Sequence, residues 1–303
     1  MSTIQIPIYN GISDIPAWDA GGYHFKRVPE YEQRIKELPA LGGSSGGRSY
    51  RARKGRHIVT FHATQNAASV HKSMWFEDGD SLYDVLALWS FAGGFEVITS
   101  RSKKHCPTAN ECGYEIADPS SITKLVSEAY GKTQEAPINR LVKSALLTYL
   151  EVRHVHPFQL KVALLTSVLE CLGHLVKDSC STRNAKKYKP KIVDLLSAVA
   201  SEWKSCVTCD QIEAFVVELF QLRNEFLHSG VFPYKANIQI GEITTTYGRV
   251  VIVSRMLTKL AIQKELKFAM NSSGSIALAS NIREFFRSGS FVPPAISAYE
   301  RTT

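Results

Sequence analysis

Residues 212–230 read IEAFVVELFQLRNEFLHSG, a segment with the spacing of an amphipathic α-helix. At about 100° per residue, the apolar side chains of Ile212, Val216, Leu219 and Phe226 fall on one stripe. Arg223 lies inside that stripe. A guanidinium that points toward an apolar core is costly unless it is paired or lines a wet crevice. The segment therefore predicts a helix that carries a cation on its buried side.

Two further polar residues stand near the end of the same predicted helix. Asn224 and His228 are four residues apart, so they share a neighbouring face. Gly230 is a typical helix stop. One interpretation is structural, because Arg and His near a helix C-terminus complement the helix dipole and bind the last carbonyls. The other is chemical, because a cation, an amide and an imidazole are grouped at one helix end.

The N-terminal part of the chain is predicted to be rich in β-structure. Ile4, Ile6 and Ile8 alternate along residues 3–9, which is typical of a strand, and Pro7 indicates an edge position. Residues 58–62 and 95–99 are further candidate strands. Asp80 and Ser81 are placed to cap a helix over residues 82–89. Residues 42–47 read GGSSGG, which predicts a flexible loop or linker.

After residue 119 the pattern changes to successive apolar helical faces. Pro137, Pro157 and Pro190 stand near predicted helix starts, and Asp210 is the expected cap of the helix that contains Arg223. Residues 238–253 have a hairpin-like pattern, and residues 256–268 form a last predicted amphipathic helix. Short connections between helices indicate a bundle. We therefore predict an α+β protein with a β-containing region over 1–118, an α-helical bundle over 119–270 and a loosely held tail over 271–303.

The charge balance favours an anionic partner. Lys and Arg total 36 and Asp and Glu total 28, which gives a net charge of +8. An excess of this size points first to nucleic acid and second to an anionic membrane surface. One basic run is a candidate nucleic-acid contact, with solvated surface as the alternative interpretation. Its residues are Arg48, Arg51, Arg53, Lys54 and Arg56.

Several classes of protein are not expected from the sequence. No window holds the roughly 20 uninterrupted apolar residues that a membrane-spanning helix needs. The residues that follow Met1 lack the basic and apolar regions of a signal peptide. We therefore expect a cytoplasmic protein with no membrane partner, whose six cysteines are reduced thiols. No phosphate-binding loop or dinucleotide fingerprint is present.

The cysteines offer only a weak metal-site hypothesis. Cys206 and Cys209 form a single C-x-x-C pair, and His105, Cys106 and Cys112 form the other close cluster. A structural zinc site needs about four converging ligands, and the sequence has no second C-x-x-C. Convergence of the two clusters stays open. We expect no metal and no cofactor.

Residues 222–230, LRNEFLHSG, resemble the signature helix of the HEPN superfamily, in which an Arg and a polar residue precede a His. The spacing of Arg223, Asn224 and His228 matches that pattern without departure. Residues 84–92, DVLALWSFA, and the β-containing region before the helices are similar to the Apea-like branch of the superfamily. The resemblance covers residues 75–270 and is strongest over 215–231.

This resemblance implies RNA as the partner and metal-independent RNA cleavage as the activity, in the manner of toxins or antiviral effectors. It also implies a homodimer whose two motif helices face each other across a crevice. His228 would transfer protons, Arg223 would contact phosphate oxygens, and Asn224 would orient His228 or contact the substrate. Some members of the superfamily are non-catalytic binding or scaffold modules, which is the alternative. In the homodimer, Arg223 would open onto the wet crevice between the two chains, and the alternative is an Arg paired inside one chain.

Overall fold

The computed structural model divides the chain into two compact units, one formed by Met1–Gln134 with Ala295–Thr303 and the other by Glu135–Pro294. The division follows residue 134, whereas the sequence predicted a boundary after residue 118. The structure describes residues 5–13, 15–28, 58–65, 81–94, 97–99, 120–133, 139–152, 155, 158–176, 188–202, 207–229, 237–267 and 273–291. The predicted GGSSGG loop lies outside these residues.

The first unit contains a five-stranded antiparallel sheet with strand order β2-β3-β4-β1-β5. The predicted strands over 3–9 and 58–62 are confirmed, and the third is confirmed over two residues. The strands are β1 (Gln5–Ile12), β2 (Ala17–Ala20), β3 (Tyr23–Arg27), β4 (Ile58–Gln65) and β5 (Ile98–Thr99). Two helices complete the described part of this unit, α1 (Ser81–Gly93) and α2 (Ile122–Thr133).

Alternation along the strands builds the core of this unit. Ile8, Phe25 and Phe61 are fully buried, because residues two apart in a strand point to the same face. Trp89 of α1 lies against that face, with ring centroids 5.8 Å from Phe25 and 5.1 Å from Phe61 in edge-to-face geometry. The predicted helix after residue 80 is therefore confirmed as the cover of the sheet.

The edge position predicted from Pro7 is only partly correct. Strand β1 lies between β4 and β5, so it is not an edge strand of the sheet. Pro7 pairs with His62 of β4, but β5 pairs only with Ile8 and Tyr9. In the described ladder, Pro7 therefore has a neighbouring strand on one side, which a residue without a backbone N–H tolerates.

The described part of the second unit is helical and contains one small hairpin. Helix α4 packs against α3, α5, α6 and α7, so it forms the centre of the unit. The predicted α+β class is thus confirmed. The helices are α3 (Asn139–Glu151), α4 (Phe158–Gly173), α5 (Tyr188–Glu202), α6 (Cys209–Ser229), α7 (Tyr247–Glu265) and α8 (Ser273–Ser288), and the hairpin strands are β6 (Ile238–Ile240) and β7 (Ile243–Thr245).

Two predictions for the C-terminal part are wrong. The hairpin ends at Thr245, and the β-branched run 250–253 belongs to α7, where burial of one helix face outweighs its strand propensity. The expected loose tail contains α8, whose Leu278, Ile282 and Phe285 are buried. Ser273, Gly274 and Ser275 in the first turn of this helix obscured an apolar spacing that is typical of a helix.

Helix α6 begins at a cap that the sequence prediction placed two residues too late. The Thr208 hydroxyl accepts a hydrogen bond from the Gln211 backbone N–H at 3.2 Å, and the Gln211 amide oxygen accepts one from the Thr208 N–H at 3.0 Å. This is a capping box, which satisfies two backbone donors at once. Asp210 lies in the first turn, where its charge complements the helix dipole.

Candidate functional site

The C-terminal half of α6 presents the three motif residues in two directions. Asn224 and His228 are exposed, and they lie about 40° apart around the helix axis. Arg223 is turned toward the other helices of its unit, and its side chain is 23% exposed. The structure thus places Asn224 and His228 on one solvent-facing surface, with Arg223 beside it.

Arg223 is paired inside the chain. Its Nη1 donates a hydrogen bond to Oε1 of Glu170 on α4 at 2.8 Å, and the Glu170 side chain is 24% exposed. The guanidinium also lies 5.8 Å from the ring centre of Phe220, while its buried Nε has no hydrogen-bond partner among the described residues. This is the paired arrangement that the sequence left open as the alternative to an Arg facing a dimer crevice.

Sequence reasoning did not identify Glu170. The signal was available, because a carboxylate interrupts the apolar run that continues through Val168, Leu169 and Leu172 on α4. A charged residue beside buried ones needs an ionic or hydrogen-bonded partner. Its partner on another helix is a tertiary contact that no local pattern specifies.

The remaining charged residue of the motif, Glu225, belongs to a different environment. Its Oε1 accepts a hydrogen bond from Nε2 of Gln221 at 3.3 Å. Burial, followed by the charges of Glu225 and Glu218, raises the pKa of Tyr247 from 10.0 to about 12. Tyr247 therefore stays protonated at neutral pH, and it does not act as a base toward the motif.

The exposed surface of α6 also carries large apolar side chains. Val217 is 43% exposed and Leu227 is 53% exposed. Val217 lies seven residues before Asn224, close to two helical turns, and Leu227 directly precedes His228. We call Val217, Asn224, Leu227 and His228 the α6 surface. It combines two polar motif residues with apolar area of the kind that interfaces bury.

The first unit has a polar sheet face that sequence reasoning missed. Pairing of β3 with β4 sets His24 opposite Thr64 and Lys26 opposite His62. The sequence signal for this face is alternation along β3 and β4. Phe25 and Ala63, which lie between the polar positions, are buried on the other face. A depression of about 370 Å³ lies on this face, lined by Gln5, His24, Lys26, Arg27, Val28, His62 and Thr64.

Other candidate residues are outside the described part of the chain. The basic run of Arg48, Arg51, Arg53, Lys54 and Arg56 is among them, as are His105, Cys106, Cys112 and Cys206. Cys209 is an exposed free thiol. Among the residues that the structure describes, no three His, Cys, Asp or Glu side chains form a metal-binding group.

No family model, curated protein or solved structure matches this chain. Within the described residues, no helix combines the length and apolar character needed to cross a membrane. The features that bear on function are therefore the α6 surface, the Arg223–Glu170 pair and the motif itself.

Proposed function

We propose that this chain is a HEPN-type endoribonuclease that cleaves RNA without a metal ion, with His228 as the group that transfers protons. The exposure of His228 beside Asn224 at the end of α6 carries the proposal, because an RNA strand has access to both side chains. The motif spacing and the net charge of +8 support it. The expected site of action is the cytoplasm, as a toxin or an antiviral effector.

The chemistry suits these residue types. A base removes the proton of the 2′-hydroxyl, the 2′-oxygen forms a bond to phosphorus, and the bond from phosphorus to the 5′-oxygen breaks. An acid supplies the proton that the departing 5′-oxygen takes up. Histidine as a residue type exchanges protons near neutral pH and serves either role. The expected products are a 2′,3′-cyclic phosphate end and a 5′-hydroxyl end.

A homodimer supplies the second proton-transferring group that a single α6 helix end lacks. One α6 surface offers a single imidazole, that of His228, whereas the reaction needs a base and an acid. Pairing two α6 surfaces about a two-fold axis brings two copies of His228 to one crevice. The exposed apolar side chains of Val217 and Leu227 support this surface as the interface, because burial of apolar area favours association.

Contacts to RNA outside the crevice are proposed for the basic residues of the first unit. Lys26, His24 and His62 lie on the polar sheet face, where a phosphate backbone meets positive charge and imidazole donors. The basic run from Arg48 to Arg56 adds five cations of the sequence to the same unit. These contacts would be independent of RNA sequence and sensitive to salt.

One observation favours a second function, a non-catalytic nucleic-acid-binding or protein-binding module. Arg223 is neutralised by Glu170 at 2.8 Å, and a neutralised guanidinium stabilises a negative phosphorane less well than a free one. In this alternative, Arg223 is a structural residue, and the α6 surface binds a partner without cleaving it.

The test is incubation of the purified full chain with mixed RNAs in EDTA, followed by analysis of the product ends. Cleavage that leaves 2′,3′-cyclic phosphates is the expected result. Products with 3′-hydroxyl ends would instead indicate a metal-dependent nuclease. Binding of RNA without cleavage under conditions with and without Mg²⁺ would favour the non-catalytic module.

A further inference from the structure

A second group of cations lies in the helical unit, on helices other than α6. Arg255 and Lys259 are one turn apart on α7, and both lie over the ring of Tyr149 from α3. The distances to the ring centre are 5.7 Å for the Arg255 guanidinium carbon and 5.9 Å for the Lys259 ammonium nitrogen. Lys161 of α4 is close enough to Arg255 for its pKa to respond to that charge. We call Lys161, Arg255 and Lys259 the α4–α7 cation group.

Arg255 is the decisive member of this group. Its Nε and Nη2 atoms are buried, and neither has a hydrogen-bond partner in the part of the chain that the structure describes. No salt bridge joins Arg255 or Lys161 to a carboxylate of the described residues. Buried guanidinium donors without acceptors are costly, and native proteins seldom leave them unsatisfied. The described residues therefore supply no acceptor for these two adjacent donors of the Arg255 guanidinium.

The neighbouring side chains reinforce the positive potential. Burial, followed by the charge of Arg255, lowers the pKa of Lys161. Lys259 is fully buried within the same helix packing. Three cations in a partly desolvated region repel one another, and a bound anion relieves both this repulsion and the unsatisfied donors of Arg255.

We propose that the α4–α7 cation group binds a phosphate group, either inorganic phosphate or the terminal phosphate of a nucleotide. A dianion with tetrahedral oxygens matches several cations and accepts the two adjacent donors of a guanidinium. An internal phosphodiester carries one charge and a sugar on each side, so it fits a partly buried site less well. This proposal does not depend on RNA cleavage.

The exposed aromatic ring of Phe158 lies beside the α4–α7 cation group and favours a nucleotide as the ligand. Phe158, in the first turn of α4, is 52% exposed, and the Lys161 ammonium lies 5.8 Å from its ring centre. A phosphate at Lys161 would leave an attached base within reach of the exposed face of Phe158. Stacking of a base on an aromatic ring adds affinity without base specificity.

Calorimetric titration of the full chain in a chloride buffer tests the proposal with three probes: inorganic phosphate, adenosine 5′-monophosphate and adenosine. We expect the two phosphates to bind and adenosine not to bind. Tighter binding of the nucleotide than of phosphate identifies a nucleotide site, and equal binding identifies free phosphate as the ligand. Absence of phosphate binding, or binding of adenosine as tight as that of its monophosphate, overturns the proposal.

Substitutions locate the binding on the cation group. Arg255→Met should weaken phosphate binding by about tenfold or more, since charge-assisted hydrogen bonds are lost. Lys161→Met should also weaken it, which keeps the test open if the first variant does not fold. Arg249→Met removes the same charge from the first turns of α7 and should leave the affinity unchanged. Equal loss in the Arg249 and Arg255 variants would show a general charge effect and contradict the assignment.

Discussion

Arg223 owes its position on the inner side of α6 to one carboxylate, Glu170 on α4. Neither side chain is more than a quarter exposed, and their atoms are 2.8 Å apart. When one partner of such a pair is removed, the other charge remains partly buried and uncompensated. We expect Glu170→Gln to lower the free energy of unfolding by about 1–3 kcal/mol, measured by urea denaturation.

A double-mutant cycle with Arg223→Met separates the pair from its surroundings. The double variant should regain part of the stability lost in Glu170→Gln, because no orphaned charge remains. Glu213→Gln, on the exposed side of α6, is the matched control and should leave stability nearly unchanged. Equal effects of Glu170→Gln and Glu213→Gln would show that the ion pair contributes nothing.

Tyr247 gives the chain a pH-dependent stability term in alkaline solution. Its pKa is raised from 10.0 to about 12 in the folded protein, so between these values the unfolded chain releases a proton that the folded chain keeps. The free energy of unfolding therefore falls as the pH rises through this window. Tyr247→Phe should flatten this fall while remaining at least as stable at pH 7, because the buried hydroxyl has no hydrogen-bond partner among the described residues. If the free energy of unfolding fell equally with pH in the wild type and in Tyr247→Phe, Tyr247 would not be the source of the pH dependence.

At the scale of helices and strands, the sequence predicted what depends on local pattern. The apolar stripe of α6 is confirmed by the burial of Ile212, Val216 and Leu219, and alternation identified β1 and β4. It did not predict the β-branched start of α7 or helix α8. Their helical state depends on packing, such as that of Phe215 on Phe285 and Phe286, at centroid distances of 6.0 and 5.6 Å.

For the candidate site too, the sequence predicted what depends on local pattern and did not predict contacts between helices. Periodicity places Asn224 and His228 on one face and Arg223 on another, and the structure confirms this separation. Glu170 lies 53 residues away in sequence from Arg223, and the cation group joins residues of two helices, α4 and α7. Such long-range pairs depend on how the helices pack, which single-sequence patterns do not specify.

Gly289 ends α8 in a conformation that only glycine adopts easily. Its φ is +68°, and a Cβ built there would lie 2.4 Å from the Thr244 carbonyl oxygen. Its N–H donates to the Phe285 carbonyl at 2.7 Å, which closes the last turn of the helix. Gly289→Ala should therefore lower the melting temperature, with a cost of about 1–3 kcal/mol or more.

The matched control for this substitution is Gly248→Ala in the first turn of α7. Beyond its chain neighbours and its own helix backbone, no heavy atom of the described residues lies within 4 Å of a Cβ built at Gly248, so the new methyl group meets open space. Since Ala favours helix more than Gly does, this variant should gain up to about 1 kcal/mol. A similar loss of stability in both variants would exclude steric contact with Thr244 as the cause.

At the scale of the whole molecule, the proposed homodimer depends on the α6 surface. Leu227→Glu replaces an exposed apolar side chain of the α6 surface with a charge and should shift the sedimentation coefficient from dimer to monomer. Ile276→Glu on α8 is the control, because Ile276 is also exposed, at 59%, but lies outside the α6 surface. A wild-type monomer at micromolar concentration that still cleaves RNA would contradict the shared crevice.

The most direct measurement is the rate of RNA cleavage in EDTA by wild type, His228→Ala and His174→Ala. His228 and His174 are both exposed residues near helix ends, so neither substitution should unfold the chain. Loss of a proton-transferring group typically costs about 10²- to 10⁴-fold in rate. We expect a loss of that size in His228→Ala and none in His174→Ala. Cleavage by His228→Ala at the wild-type rate would contradict the assignment of this residue as the catalytic group.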